Sequence, residues 1–397
     1  MIATPDLIDP SANSDGSLSF AAYAILDQDS LSPVFKDAMS FIESIGERYL
    51  WIDQIRILQD NKEDKAYQIS IMDRIYKEAI FTIIAADGNV HSTGLSGFRP
   101  KSRNYDPVIG TIDNVDLIQA EPTIKLDFYD SPLGTSTWNE RAWTYQEFLL
   151  SSRIFVFAGG CVYYQCARGV IGEAEPGRNL GQFYTIPGGL EKYDREPFAR
   201  YGALVRRYKK RILTHPSDIL NAFTGLMSDF SLKIGTGFCY GLPKKYIYFG
   251  LMWKTVTVNN SEKKRRDGFP SWSWAGRLNA VEYDMNLAFR SLDVHIEWQR
   301  PEIDWDTIQR TGALRFRTRS VVLNGLYSKP CLDDGKEWKE GPRECLMIAK
   351  TDSYDSPEAL LVVKEFSPGI YEREGFAEAN TSFLDMYKPT VKQITLI

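Results

Sequence analysis

Tyr49-Leu50-Trp51-Ile52-Asp53 and, a helix length later, Phe81-Thr82-Ile83-Ile84-Ala85-Ala86-Asp87-Gly88 are two short apolar runs, each closed by an acid. Runs that are apolar on both faces fit strands buried in a parallel sheet, and the closing acid then faces the crevice where open α/β sheets bind ligands. Between them, Asn61 to Ala79 places Ala66, Ile69, Met72, Ile75, Tyr76 and Ala79 at helical spacing, which predicts an amphipathic helix with those residues inward. Upstream, Pro33 opens a similar pattern through Val34, Ala38, Phe41, Ile42 and Ile45, and Gly46 stands where a helix-ending glycine belongs. Helix, run, helix, run with short links predicts right-handed βαβ units, with 49–53 and 81–86 as neighbouring parallel strands.

Working outward, residues 89–137 break into loops and short strands rich in Gly, Pro and Asp. A helix is expected over Asn139 to Leu150, then one or two strands from Arg153 to Cys166 that turn at Gly159-Gly160. Further helices are expected over about 197–211 and 217–229, the second capped by Ser217 or Asp218. Beyond Gly268 the texture is strand-like: Leu314 to Arg319 alternates Arg315, Arg317 and Arg319 with Phe316 and Thr318, as a sheet wet on one face requires, and 346–349, 360–363 and 394–396 are apolar runs. The division this predicts is a disordered terminus over 1–17, an α/β module over 18–165, an irregular and helical linker over 166–264 and a β-rich region over 265–397. Trp272 and Trp274 are expected to fill a core between domains.

The 397 residues, 43% hydrophobic and 25% charged, exceed one small domain and exclude wholesale disorder. A net charge of −5 gives no field for nucleic acid. The longest apolar stretch, Ile154 to Tyr164, is far short of the ~20 residues of a membrane span. The first twenty residues carry Asp6, Asp9 and Asp15 without Lys or Arg, so no secretory leader is expected and a cytoplasmic location is. Five scattered cysteines without a CxxC pair fit reduced thiols, with Cys161 and Cys166 buried in strands. His91, His215 and His295 lie too far apart for a local zinc motif, so no metal and no resident cofactor is expected. The basic runs 206–211 and 263–266 read as exposed faces, and Gly94-Leu95-Ser96-Gly97 reads as a turn.

Three acids stand out chemically. Asp53 and Asp87 close the two runs, as substrate-facing residues or as turn and cap aspartates. Glu147 follows Trp143 by four residues on one helix face, and a glutamate desolvated beside an indole has the raised pKa of many catalytic carboxylates. Its alternative is a solvated side chain, or one paired with Arg141 or Arg153.

These residues resemble the heterokaryon incompatibility (HET) domain of filamentous fungi. Tyr49 to Asp53, Gln59-Asp60, Gln68-Ile69, Met72, Ile75-Tyr76, Ala79, Thr82-Ile83, Ala85-Ala86, Gly94-Leu95 and Gly97 follow that family's central motif. Trp138, Arg141, Trp143-Thr144, Gln146-Glu147, Leu150 and Arg153 follow its second. Ser217-Asp218, Tyr240 to Pro243 and Pro270 to Gly276 are similar to the region that commonly follows it. Two positions depart: Leu18-Ser19-Phe20 only echoes the family's first strand, and Arg56 replaces its cysteine, where it could pair with Asp53 or Asp60. The resemblance implies a programmed-cell-death effector of self/non-self recognition. Through a distant likeness to TIR domains it also implies a flavodoxin-like module in which Glu147 is catalytic, Trp143, Asp53 and Asp87 bind substrate, and NAD is cleaved. The alternatives are a non-enzymatic module that signals by self-assembly or a protein partner, and a decayed paralogue.

Overall fold

The structure is a computed structural model that describes residues 31–58, 60–87, 94–100, 102–103, 108–113, 115–118, 131–173, 197–256, 265–283, 292–294, 305–324, 331–333, 338, 341–351 and 357–397. The expected terminus at 1–17 and the strand echo at 18–20 lie outside the described residues. The chain divides into two compact units, Met1–Lys192 with Ala222–Leu226 and Tyr193–Asn221 with Met227–Ile397.

In the first unit, α1 (Pro33–Ser44) is capped by the Ser32 side chain. It ends as expected at Gly46, whose φ of 80° lets its N–H reach the Glu43 carbonyl while the Glu47 N–H reaches Ile42. α2 (Lys62–Glu78) starts where the Asn61 side chain accepts from the backbone N–H groups of Glu63 and Asp64. Its buried stripe is Gln68, Met72, Ile75 and Tyr76; Ala66 is exposed and Ile69 half-buried, so the inner face is set by the i, i+4 pair 68 and 72.

β1 (Thr82–Ala85) occupies the second run. The first run does not form its expected partner strand. Tyr49 to Ile52 is an extended segment without ladder pairing, and Asp53 opens the one-turn helix Asp53–Arg56 instead of ending a strand. Trp51 is buried against the Tyr76 ring, edge to face at 6.3 Å, so the run's apolar content is used in packing on α2 and not in a sheet. The expected helix over 139–150 is also broken: a turn over Thr137–Glu140 and α3 (Thr144–Leu150) are separated by Arg141 to Trp143.

β2 (Ile154–Ala158) is the parallel neighbour of β1, with Thr82 opposite Ile154 and Ala85 opposite Phe157. β3 (Cys161–Cys166) and β4 (Gly169–Gly172) follow antiparallel, giving a mixed four-stranded sheet in the order β1-β2-β3-β4. Cys161 is buried but Cys166 only half-buried. One sheet face packs Ile83, Phe155 and Phe157 against Val34, Ala38 and Phe41 of α1. The other carries buried Thr82, Ile84, Ile154 and Val156, which is why the run reads as continuously apolar.

In the second unit, α4 (Pro197–Tyr208) is followed by a 3-10 turn at Pro216–Ile219 and by the part of α5 (Thr224–Ile234) that begins at Met227; the start of α5 and most of the 3-10 turn Asn221–Phe223 belong to the first unit. Ser217 and Asp218 therefore lie in a 3-10 turn and cap no α-helix. Five strands form a closed circuit: β5 (Leu314–Leu323), β6 (Arg343–Thr351), β7 (Pro357–Ser367), β8 (Ile370–Asn380) and β9 (Thr390–Leu396). β6 pairs with β5 and β7, β7 with β8, β8 with β9 and β9 with β5. All pairings are antiparallel except β8 with β9, which meet only at Ile370 with Thr395 and Tyr371 with Leu396. Leu323, Cys345, Met347, Leu360, Val362 and Ala377 pack together, while Arg315 and Arg317 face outward as the alternation predicts.

Trp272 and Trp274 are fully buried, and the groups that accept from their indole N–H lie in the second unit. The Trp272 indole N–H donates to the Gly312 carbonyl at 2.8 Å and that of Trp274 to the Tyr201 hydroxyl at 2.7 Å. The basic run 206–211 is not an exposed face throughout, since Lys209 is buried and donates to the Arg277 carbonyl. Nearby, Asp333 is 1% exposed between Arg277 at 3.0 Å and Arg373 at 3.2 Å, and Arg373 also stacks over the Trp253 ring.

Candidate functional site

α2 packs on α3, and two side chains of each helix carry the contact. Gln146 reaches the Met72 sulfur, and one helical turn along α2 lies the buried Tyr76, which acts on the Glu147 carboxyl. Met72 and Tyr76 are four apart, so they present to α3 from a single face. Trp51 closes the other side of Tyr76, and Asp53, two residues later, comes near enough to act electrostatically on both Tyr76 and Glu147. Arg141, in the break before α3, supplies the cation of the group.

Glu147 is half-buried, and burial pushes its carboxyl up to about 7; the like charge of Asp53 acts in the same direction, while Arg141 and the hydrogen bond from Tyr76 oppose it. Tyr76, buried beside these acids, has a phenol held well above its ordinary range, first by desolvation and then by Glu147 and Asp53. It therefore stays protonated and donates. A carboxyl that titrates near neutrality is able to stabilise a developing cation when ionised and to take up a proton.

Of the residues singled out from sequence, Asp53 and Glu147 are brought together. Trp143 immediately precedes α3 with helical backbone angles, φ −63° and ψ −35°, which keeps its four-residue relation to Glu147. Asp87 is elsewhere. Its carboxylate accepts the backbone N–H groups of Gly159 and Gly160, the latter at 2.8 Å, and so fastens the turn between β2 and β3. Ser151 bonds both the Glu147 carbonyl and Thr82, which ties the end of α3 to the start of β1, whereas Asp87 follows the end of that strand. Arg56 pairs with Asp64 at 3.5 Å and not with Asp53 or Asp60. Arg153 donates to the Ile80 carbonyl. Tyr76 is the member of the group that carried no site role in the sequence, and Arg141 figured there only as an alternative ion-pair partner of Glu147; the available signal was that Tyr76 falls one turn beyond Met72 on the stripe facing α3.

A second anchored segment lies under α1. Asp37, 2% exposed, accepts the Leu95 N–H at 2.8 Å and pairs with Arg99, so Gly94 to Gly97 is a turn held from below, as expected of it. Among the described residues no group of His, Cys, Asp or Glu is placed to hold a metal ion, and no helix is long and apolar enough to cross a membrane.

A family model described as Heterokaryon incompatibility protein (HET) matches residues 11–147, a span that includes Trp51, Asp53, Tyr76, Arg141 and Glu147. No curated protein and no solved structure matches the chain.

Proposed function

We propose that this chain, which carries a heterokaryon incompatibility (HET) domain over residues 11–147, is an effector of fungal self/non-self recognition that acts by cleaving the nicotinamide–ribose bond of NAD. The observation that carries the reading is the Glu147 carboxyl, pushed up to about 7 by burial, with the like charge of Asp53 acting in the same direction. Nicotinamide needs no general acid. When the ribose C1′–N bond breaks, its electron pair neutralises the pyridinium ring, and the positive charge passes to the ribose. An ionised Glu147 would stabilise that cation, and water adding to C1′ would lose its proton to the same carboxylate, leaving ADP-ribose. The TIR-like flavodoxin architecture belongs to this reading as well. It is supported by the parallel β1–β2 pair and by α1 packed on one face of that sheet, although the first apolar run contributes no strand. Trp143 and Asp53 are the substrate-side residues of the proposal; Asp87, engaged by the β2–β3 turn, serves the scaffold.

The test is nicotinamide release from NAD by purified protein. Wild type should release it, and Glu147→Gln should lose about a hundredfold or more while staying folded. No release by folded wild-type protein at any concentration would retire the enzymatic reading.

One observation favours a second reading, signalling by assembly. Ile45, Tyr49, Ile55 and Leu58 are all exposed in the short segment joining α1 and α2. Isolated exposed apolar residues are ordinary, but four within fourteen positions offer a surface for a protein partner or another copy. A mass by light scattering that grows with concentration, and that Ile55→Lys with Leu58→Lys returns to monomer, is the outcome this reading expects.

A further inference from the structure

We propose that the basic runs 206–211 and 263–266, far apart in the chain, meet in the second unit to form an anion site in which Lys209 and Arg266 hold a small phosphoryl oxyanion. Glu147 belongs to the first unit, so this site stands or falls apart from NAD cleavage.

Lys209 directly follows α4 and closes its last turn, the backbone N–H donating to the Val205 carbonyl at 2.9 Å. The residue is 5% exposed, and its Nζ donates to the Arg277 carbonyl, 6.0 Å from the centre of the Trp274 ring. The second basic run reaches the same oxygen. Arg266 donates through Nη1 to the Arg277 carbonyl and, at 3.0 Å, to that of Ala275, while its backbone N–H holds the Gly276 carbonyl at 2.8 Å. Two cations therefore converge on one uncharged oxygen, which neutralises neither.

The acids around them are engaged elsewhere. Asp333, beside Arg277, is taken by Arg277 at 3.0 Å and Arg373 at 3.2 Å, and Glu372 pairs with Arg265 at 3.4 Å. An ammonium carries three donors, and among the described residues that of Lys209 has one acceptor, the Arg277 carbonyl. The Arg266 Nε–H is buried and has no acceptor among them. Burying a cation without a counter-ion is costly, and desolvation, with Arg266 and Arg277 acting in the same direction, holds the Lys209 amine well below its ordinary range. An anion placed between Lys209 and Arg266 relieves that cost. The two remaining ammonium donors and the Arg266 Nε–H match the three oxygens of a phosphoryl group, where a carboxylate offers only two. Arg266 is half-buried, and so gives the site its way to solvent.

The experiment titrates inorganic phosphate into the full-length protein at constant ionic strength. Binding is read by calorimetry and by the 1H–15N resonance of the Arg266 Nε–H, assigned through its loss in Arg266→Lys. Wild type should bind phosphate saturably, the Arg266 resonance should shift with the same midpoint, and acetate should bind about tenfold more weakly or worse. Lys209→Met keeps the length of the side chain, and Arg266 Nη1 still serves the Arg277 carbonyl, so this variant should fold. Its phosphate affinity should fall about tenfold or more. Absence of saturable phosphate binding by wild type overturns the proposal without any variant having to fold. So does an Arg266 resonance indifferent to bound phosphate, or an affinity unchanged in folded Lys209→Met; the two side chains would then serve only to cap the carbonyls around the Trp274–Gly276 turn. Acetate bound as tightly as phosphate would overturn the phosphoryl assignment.

Discussion

At Glu147 the burial that suits it to chemistry is unfavourable for stability. Its folded pKa is raised above the unfolded value, so the native state binds the proton more tightly, and the stability this provides is complete below about 4.5 and lost as pH rises through about 7. Relative to Glu147→Gln, wild type should therefore lose about 1–3 kcal/mol between pH 4.5 and 8 after allowance for the solvent that still reaches the residue, read as a falling difference in Tm. Asp333 is a buried carboxylate between Arg277 and Arg373. Asp333→Asn removes the acid and leaves two guanidinium groups in the second unit's interior, which should cost about 3–5 kcal/mol in urea unfolding. A change under 1 kcal/mol would mean that the carbonyls of Leu251 and Trp253, which also accept from Arg373, are sufficient.

Among elements, two tight connections carry the first unit. An alanine at Gly94 would put its Cβ 1.8 Å from the Asp37 carboxylate, which α1 holds nearly out of solvent, so Gly94→Ala should destabilise by about 1–3 kcal/mol and lower Tm accordingly. At the β2–β3 turn Gly159 and Gly160 have φ of 63° and 75°, and Asp87 binds both of their N–H groups. Asp87→Ala should cost about 1–2 kcal/mol, while Gly159→Asn, which tolerates the left-handed conformation, should be nearly neutral. The same elements show what was legible in the sequence. Both ends of α1, both ends of α2 and the Gly-Gly hairpin were readable because caps and turn glycines act locally. The fate of Tyr49 to Ile52 was not, because a four-residue apolar run has the same composition whether it joins a sheet or packs on a neighbouring helix, and only the position of Tyr76 distinguishes the two. β8 went unread for a related reason: its alternation is diluted by Glu372, Arg373, Glu374 and Glu378, and Arg373 is buried only because Asp333 and Trp253 receive it. Asp87 and Asp53 looked alike in sequence, and only the hairpin that returns to Asp87 separated scaffold from site.

For the whole molecule, each unit holds its own core. The second gathers Trp253, Trp272 and Trp274, with Trp253 donating to the Trp272 carbonyl at 2.9 Å. Trp272→Ala or Trp274→Ala should each cost about 3–5 kcal/mol through the cavity left behind. Differential scanning calorimetry should show that loss in the second unit's transition, and equal Tm values for both variants and wild type would contradict it. The closed circuit of β5 to β9 has a further consequence. Each of its strands has a partner on both sides, but β9 meets β8 only at Thr395 and Leu396, so Thr390 to Ile394 keeps one side without ladder pairing among the described residues. The weak stitch is the parallel seam of Ile370 and Tyr371 with Thr395 and Leu396, the shortest ladder in the circuit. Backbone recruitment into these strands would begin beside that seam, so its opening free energy sets part of the margin against fibril growth.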